Sequence, residues 1–187
     1  MLKDNIEYKR FVWEFNNIIS SENCKKARIL FLCIGTNRIV GDAFGPVVGS
    51  VLKKNLLENN EICIWGDLRE CVTYADLTSM DNYWKDKGNQ ALVIVLDSAL
   101  SNKKDVGKVF VQNRGLKYAE SLGKDNSVIG NISIKAVVGE NENDNLKNFN
   151  NLKNVSIKQI HKMCNIVSNG IIDVMNKKEN YGKNIYK

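Results

Sequence analysis

Apolar residues along the chain follow two spacings, one typical of buried strands and one typical of amphipathic helices. Strands are predicted at residues 28–34, 61–66, 91–96, 109–111 and 128–138. Helices are predicted at residues 6–19, 45–57, 74–87 and 156–175. Residues 139–154 are rich in Asn, Asp, Glu and Lys and are predicted to form a solvated loop. This alternation of strands and helices predicts an α/β fold with helices on both faces of the sheet.

Length and composition are those of a globular chain. We expect one domain over residues 1–187, with its core at residues 28–176, because 187 residues lie within the usual range for one domain. The net charge of +6 would suit a nucleic-acid partner. The Lys and Arg residues are scattered, however, and no zinc-finger spacing, RNP-type motif or basic helix accompanies them. We therefore expect a solvated basic surface and no nucleic-acid partner.

Cysteine usage and the N-terminal sequence bear on location. The five cysteines are odd in number and never form a CxxC pair. The sequence starts with polar residues, and no apolar run approaches the roughly 18 residues of a membrane span. We expect a cytoplasmic protein with reduced thiols and no membrane partner.

Two aspartates stand at predicted strand ends. Asp42 follows the strand at 28–34 across a glycine-containing loop, and Asp97 directly follows the strand at 91–96. Ligands of open parallel sheets bind beyond the carboxyl ends of strands, and two neighbouring carboxylates can divide the roles of acid and base. Each aspartate also has a structural interpretation, since Asp42 could cap the following helix and Asp97 could accept hydrogen bonds in a turn.

Other candidate chemistry is weaker. The glycines that follow the first strand suggest a phosphate cradle, but their spacing matches neither the dinucleotide-binding motif nor the P-loop. His161 is the only histidine and lies on the last predicted helix. Two carboxylates are too few to specify a cation. We therefore expect neither a metal nor a cofactor.

Several segments together resemble a known family. The segments CIGTNR at 33–38 and GDAFGP at 41–46 resemble the signature of the YyaC family of sporulation proteins. The segments IWGDL at 64–68, LDSAL at 96–100 and IGNISI at 129–134 match further motifs of that family in the same order. The YyaC family is in turn similar to the spore germination protease and to the hydrogenase maturation peptidases.

The resemblance implies a fold and a set of site residues. The fold is a three-layer α/β/α sandwich around a mostly parallel sheet, of the phosphorylase/hydrolase-like type. The catalytic pair would be Asp42 and Asp97, acting on a peptide or protein in the sporulating cell or spore. The resemblance also identifies candidate substrate-binding residues: Thr36, Asn37, Arg38, Gly41, Ser98 and Asn131.

The sequence departs from the family pattern at three ionisable positions. Asn37 and Asn131 stand where the family has Asp, and Thr73 stands where it has His. Three hypotheses therefore stay open. The first is an aspartate-dependent peptidase, the second is a catalytically silent binding or regulatory protein of sporulation, and the third is a small-ligand or phosphate-binding protein.

Overall fold

The computed structural model describes residues 2–22, 28–56, 59–79, 91–117 and 128–185. The helices are α1 (Ile6–Glu22), α2 (Phe44–Leu56), α3 (Tyr74–Ser79), α4 (Asn145–Lys153) and α5 (Ile157–Ile185). Short 3-10 turns cover Leu2–Asp4, Val40–Asp42 and Lys103–Asp105. The strands are β1 (Arg28–Cys33), β2 (Ile62–Trp65), β3 (Ala91–Ser101), β4 (Val109–Gln112), β5 (Leu116–Lys117), β6 (Val128–Ile129) and β7 (Ile132–Glu140).

The central sheet is mostly parallel, which confirms the predicted α/β class. Its strand order is β2-β1-β3-β7-β4, and only β4 runs antiparallel to its neighbour. A separate two-stranded ribbon pairs β5 with β6. Because β1 and β3 lie inside the sheet, each has a continuous buried run, residues 30–33 in β1 and 92–97 in β3, as expected for strands covered on both faces.

Alternate residues of the inner strands pack into two separate hydrophobic clusters. Phe31 and Ile94 belong to the cluster that includes buried residues of α1, α2 and α5. Leu32 and Val95 belong to the cluster on the opposite face, with Leu77 of α3 and residues of the β5–β6 ribbon. The sheet therefore forms the middle of three layers, with α1, α2 and α5 on one side and α3 and the β5–β6 ribbon on the other.

The prediction of a loop over residues 139–154 is wrong. Strand β7 continues to Glu140, and α4 forms within the remainder. The side chain of Asp144 caps α4 by accepting hydrogen bonds from the N–H groups of Leu146 (2.8 Å) and Lys147 (3.1 Å). Leu152, also on α4, packs against the larger hydrophobic cluster. A cap and one apolar anchor thus stabilise a helix in an otherwise polar segment.

Two strand boundaries and one helix also differ from the prediction. Strand β3 runs through Asp97 to Ser101, and the strand predicted at 128–138 is divided at Gly130, whose φ is 80°. Of the helix predicted at 74–87, Tyr74–Ser79 is helical and residues 80–87 lie outside the described residues. The helix predicted at 156–175 extends to Ile185. No helix among the described residues is long and apolar enough to cross a membrane.

Candidate functional site

Asp97 lies inside β3 and is 5% exposed. By strand alternation its side chain shares a face with Val93 and Val95, the face on which α3 packs. The hydroxyl of Tyr74, the first residue of α3, donates a hydrogen bond to Oδ2 of Asp97. The other carboxylate oxygen, Oδ1, is buried and has no hydrogen-bond partner among the described residues. Asp97 therefore has one oxygen held by the phenol and one buried oxygen without a hydrogen-bond partner among the described residues.

Asp42 ends the 3-10 turn that precedes α2. Its carbonyl accepts a hydrogen bond from the N–H of Thr36 (3.1 Å), and its own N–H donates to the carbonyl of Ile39 (3.0 Å). The carbonyl of Ala43 accepts the N–H of Val47 (3.0 Å), so Ala43 occupies the N-cap position of α2. The carboxylate of Asp42 is therefore not the helix cap that one interpretation of the sequence suggested.

The ionisable groups of this site influence one another. Burial raises the pKa of Asp97 to about 7, the Tyr74 hydrogen bond lowers it, and the negative charge of Asp42 raises it. Burial also raises the pKa of Asp42 to about 6, while the nearby N–H of Thr36 lowers it. Burial and the charges of Asp97 and Asp42 raise the pKa of Tyr74. Both carboxyl groups therefore have pKa values raised towards neutral pH, with the pKa of Asp97 the higher.

The loops that carry Asp42 and Tyr74 are joined through their backbones. The N–H of Gly35 donates to the carbonyl of Val72 (2.9 Å), next to an isolated bridge between Ile34 and Val72. Gly35 has a φ of 139°, and a Cβ there would lie 2.1 Å from the carbonyl oxygen of Asp42. Only glycine therefore allows this loop to pass so close to the backbone of Asp42.

A buried ion pair supports the loop that leads to α3. Asp67 is 8% exposed, and its Oδ2 accepts from Nζ of Lys53 at 2.5 Å. Its Oδ1 accepts from the N–H groups of Arg69 (2.7 Å) and Glu70 (2.8 Å). The hydrogen bond from Lys53 is the main reason that the pKa of Asp67 falls to about 2. Asp67 thus stays charged and orders the turn that follows it.

The predicted substrate-binding residues of the first loop divide into two groups. The side chain of Asn37 donates to the carbonyl of Leu68 (2.9 Å), and Oγ1 of Thr36 accepts the N–H of Arg38 (3.2 Å), so both residues have structural contacts. Arg38 itself is exposed. Gly41 is buried, and a Cβ there would lie 2.5 Å from the carbonyl oxygen of Leu152, so Gly41 serves helix packing.

Ser98 and Asn131 do not join the carboxylates. Ser98 follows Asp97 but points to the opposite face of the sheet, where its Oγ is buried without a partner among the described residues. Asn131 accepts the N–H of Val93 (2.9 Å) and lies four residues before Lys135, the register partner of Asp97. At about 3.3 Å per residue, Asn131 is about 13 Å away along the strand. The predicted substrate role of Asn131 therefore has no support in the geometry.

Two site residues were missed by sequence reasoning. Tyr74 contacts Asp97 directly, and its only sequence signal was its place at the start of a predicted helix. Lys135 pairs with Asp97 in the β3–β7 register, and its positive charge lowers the pKa of Asp97. Lys135 is a polar position in an alternating strand pattern, but only the strand pairing brings it beside Asp97.

The described residues offer little to a metal or a phosphate. No group of three or more His, Cys, Asp or Glu side chains in the described part of the chain is arranged to hold a metal ion. The backbone N–H groups of Gly35, Thr36, Arg38 and Asp42 all donate within the protein. A phosphate cradle needs such groups to point at the ligand. These four N–H groups of the glycine-rich loop are therefore engaged within the protein and do not point at a ligand.

Comparisons with known proteins agree with this fold. The family model described as "protein of unknown function (DUF1256)" matches residues 3–170. The protein YyaC of Bacillus subtilis (strain 168), described as uncharacterized, is 27% identical over 163 residues, which are 84% of this chain and 76% of that protein. The crystal structure of the NiFe hydrogenase maturation protease HycI from Thermococcus kodakarensis superposes with a TM-score of 0.55 at 14% identity, covering 87% of this chain and 99% of that one. The predicted relation to hydrogenase maturation proteases is thus confirmed for the fold.

Proposed function

The chain belongs to the DUF1256 family, and we propose that it is an aspartate-dependent peptidase that hydrolyses a peptide bond of a protein or peptide substrate. One observation carries the proposal. A buried aspartate with an unpartnered oxygen, Asp97, lies near enough to Asp42 for the charge of Asp42 to raise its pKa. Such coupled carboxyl groups are a recurrent device for performing acid and base chemistry at one pH. The peptidase-like fold is consistent with this assignment.

The different environments of the two aspartates support a division of roles between them. Asp42 is the more exposed and has the lower pKa, so it is the general base. It takes a proton from water as the water oxygen bonds to the substrate carbonyl carbon. Asp97 is the general acid, and it protonates the amine nitrogen as the carbon–nitrogen bond breaks. The proton gained by Asp42 then returns to Asp97, which restores the starting state.

Charged groups near the pair suit a peptide substrate. Arg38 is exposed on the loop that carries Asp42, and it can steady the developing oxyanion or a substrate carboxylate. The motif resemblance to the YyaC family supports a substrate in the sporulating cell or spore, and a cytoplasmic site of action. These assignments make spore proteins the first substrates to test.

A second candidate is a catalytically silent peptide-binding protein of sporulation. It is favoured by Asn37, Thr73 and Asn131, which are neutral where the resembled family carries ionisable residues. Each of the three side chains has a hydrogen-bond partner within the protein. Such a protein would keep the crevice for recognition and lose the reaction.

Cleavage of spore-protein peptides tests the proposal. Peptides incubated with the wild type, Asp42→Asn or Asp97→Asn are analysed by mass spectrometry for new termini. We expect both variants to lose activity by a factor of about 100 or more, because each removes one proton-transfer group. Glu61→Gln is the matched control, since Glu61 is an exposed carboxylate just before β2. It lies at the amino-terminal ends of the strands, whereas Asp97 lies at the carboxyl end of the buried run of β3.

The outcomes separate the candidates. Cleavage that persists in both aspartate variants would show that the aspartate pair is not the catalyst. Binding of the same peptides without cleavage by the wild type, measured by calorimetry, would favour the silent peptide-binding protein.

A further inference from the structure

The contact between Tyr74 and Asp97 assigns a further residue to the site. We propose that Tyr74 is a positioning residue that selects the Asp97 oxygen from which the leaving amine is protonated. This inference rests on the proposed function, because it concerns the acid of that reaction. Its basis is the geometry of the carboxyl group, of which the phenol holds one oxygen while the other stays unpartnered among the described residues.

The hydrogen bond decides where the proton of Asp97 can sit. The Tyr74 hydroxyl donates to Oδ2, so Oδ2 acts as the acceptor in this contact. A neutral carboxylic acid carries its proton on one oxygen, and its carbonyl oxygen is the better acceptor, so the hydrogen bond at Oδ2 favours the proton on Oδ1. Burial keeps the phenol protonated, so it remains a donor over the whole range in which Asp97 titrates. The mobile proton is therefore placed on Oδ1, the oxygen without a hydrogen-bond partner among the described residues.

The backbone holds the phenol in place before any substrate arrives. Thr73 donates to Oδ2 of Asp76 from both its N–H (2.8 Å) and its Oγ1 (2.7 Å), which fixes the first turn of α3. Leu77, one turn after Tyr74, is fully buried in the hydrophobic cluster of the same face. The bond from Gly35 to Val72 ties this segment to the Asp42 loop. A tyrosine with two side-chain torsions on such a support is well preorganised.

Among the described residues, three charged or titratable groups act on Asp97 from the elements packed around it. Asp42 acts from the loop after β1, Tyr74 from α3 and Lys135 from β7. Tyr74 is the one of the three that donates a side-chain hydrogen bond to the carboxyl group, whereas Asp42 and Lys135 act through their charges. Removing the phenol hydroxyl should therefore change the titration of Asp97 and free both of its oxygens to carry the proton, with the other two groups unchanged.

Carbon-13 NMR of labelled aspartate side chains tests this inference without any substrate. The carboxyl signal of Asp97 is assigned by its absence in Asp97→Asn and titrated in the wild type, Tyr74→Phe and Tyr8→Phe. We expect Tyr74→Phe to move the Asp97 midpoint up by about one pH unit, because a hydrogen bond to the charged form is lost. Tyr8→Phe is the matched control, since the Tyr8 hydroxyl donates to Asp173 (2.6 Å) away from the site.

Peptide cleavage supplies the second readout. The alkaline limb of kcat/KM should move upward with the Asp97 midpoint in Tyr74→Phe. The value of kcat should fall about tenfold with KM nearly unchanged, because the phenol acts on the acid and does not bind the substrate. Neither quantity should change in Tyr8→Phe.

An Asp97 midpoint that is the same in Tyr74→Phe and the wild type would overturn the inference. A shifted midpoint in a protein that cleaves no peptide would overturn the proposed function and leave the hydrogen-bond control of Asp97 established. If Tyr74→Phe does not fold, 3-fluorotyrosine incorporated throughout the chain provides the test. The more acidic phenol is a stronger donor, so it should move the Asp97 midpoint downward, and no movement would count against the inference.

Discussion

Two Tyr–Asp hydrogen bonds in the described part of the chain lie in opposite surroundings. Tyr8 on α1 donates to Asp173 on α5, and Tyr74 on α3 donates to Asp97 on β3. The Tyr8 bond is the main reason that the pKa of Asp173 falls, whereas the pKa of Asp97 rises to about 7 in spite of its tyrosine. The same kind of hydrogen bond therefore accompanies a raised pKa at Asp97 and a lowered pKa at Asp173.

Solvent and neighbouring charge explain the difference. The side chain of Asp173 is 32% exposed and also pairs with Lys3 at 3.3 Å, so its charged form is favoured. Asp97 is buried in β3 and faces the like charge of Asp42. A hydrogen bond from tyrosine lowers a carboxyl pKa in both places, but at Asp97 burial and the charge of Asp42 outweigh it. The Tyr74–Asp97 hydrogen bond therefore acts on a carboxyl group whose neutral form is favoured by its surroundings. The Tyr8–Asp173 hydrogen bond stabilises a carboxylate whose charged form is already favoured.

The largest expected effect is an opposite change in stability when each aspartate becomes asparagine. Ionised Asp97 costs stability, and this cost is absent below its unfolded pKa, grows as pH rises and is complete above its folded pKa of about 7. Near pH 8, Asp97→Asn should therefore raise the free energy of unfolding by about 2 kcal/mol, after allowing for one unsatisfied amide. Asp173→Asn should lower it by about 0.5 kcal/mol, because Asp173 is partly exposed.

Urea unfolding of the two variants and the wild type near pH 4 and pH 8 measures this contrast. The gain in Asp97→Asn should disappear near pH 4, below the folded pKa. A loss of stability near pH 8 in both variants would show that Asp97 is a structural ion like Asp173.

The second contrast is between two lysines that form ion pairs with aspartates, one pair largely buried and one exposed. Lys53→Met leaves Asp67, which is 8% exposed, without its counter-charge, and should cost about 1.5 kcal/mol. Lys3→Met removes a lysine whose side chain is 77% exposed and should change stability by less than about 0.3 kcal/mol. Thermal unfolding of both variants at neutral pH distinguishes them. Equal effects would mean that the buried pair near the site contributes no more than a surface pair.

The smallest contrast concerns the tyrosine hydroxyls themselves. Above pH 7, Tyr74→Phe should cost about 1 kcal/mol, because it removes a donor from a buried carboxylate. Tyr8→Phe should cost about half as much, since water and Lys3 still reach Asp173. Urea unfolding in parallel gives the two values. A larger cost for Tyr8→Phe would contradict the roles that burial assigns to the two bonds.

The fold was predictable from the sequence where apolar residues alone decided it. The runs that form β1, β3 and α2 are continuous or periodic and show their structure locally. The end of β3 was not predictable, because residues 97–101 are extended through pairing with β7, a distant strand. Helix α4 was missed because it depends on the Asp144 cap and on the packing of Leu152.

The site was predictable only in part for the same reason. Asp42 and Asp97 follow apolar runs, so their positions relative to the sheet could be inferred from local pattern. Tyr74 and Lys135 approach Asp97 from another layer and another strand, which no local pattern encodes. Asn131 was assigned to the site from a motif, whereas the parallel register places it towards the amino-terminal ends of β3 and β7, away from Asp97.

The extension of β3 beyond β1 gives the two carboxylates different mobility. The carbonyl of Leu96 accepts a hydrogen bond from the N–H of Ile34, which follows β1. Because successive residues of a strand direct their N–H and C=O groups to alternate sides, those of Asp97 point towards β7. The Asp97 amide should exchange its hydrogen with solvent only when these central strands separate. The amide of Asp42 depends on one turn bond to Ile39 and should exchange by local opening. Asp97 thus lies on a backbone held between two neighbouring strands, whereas Asp42 lies on a turn that should open on a faster timescale.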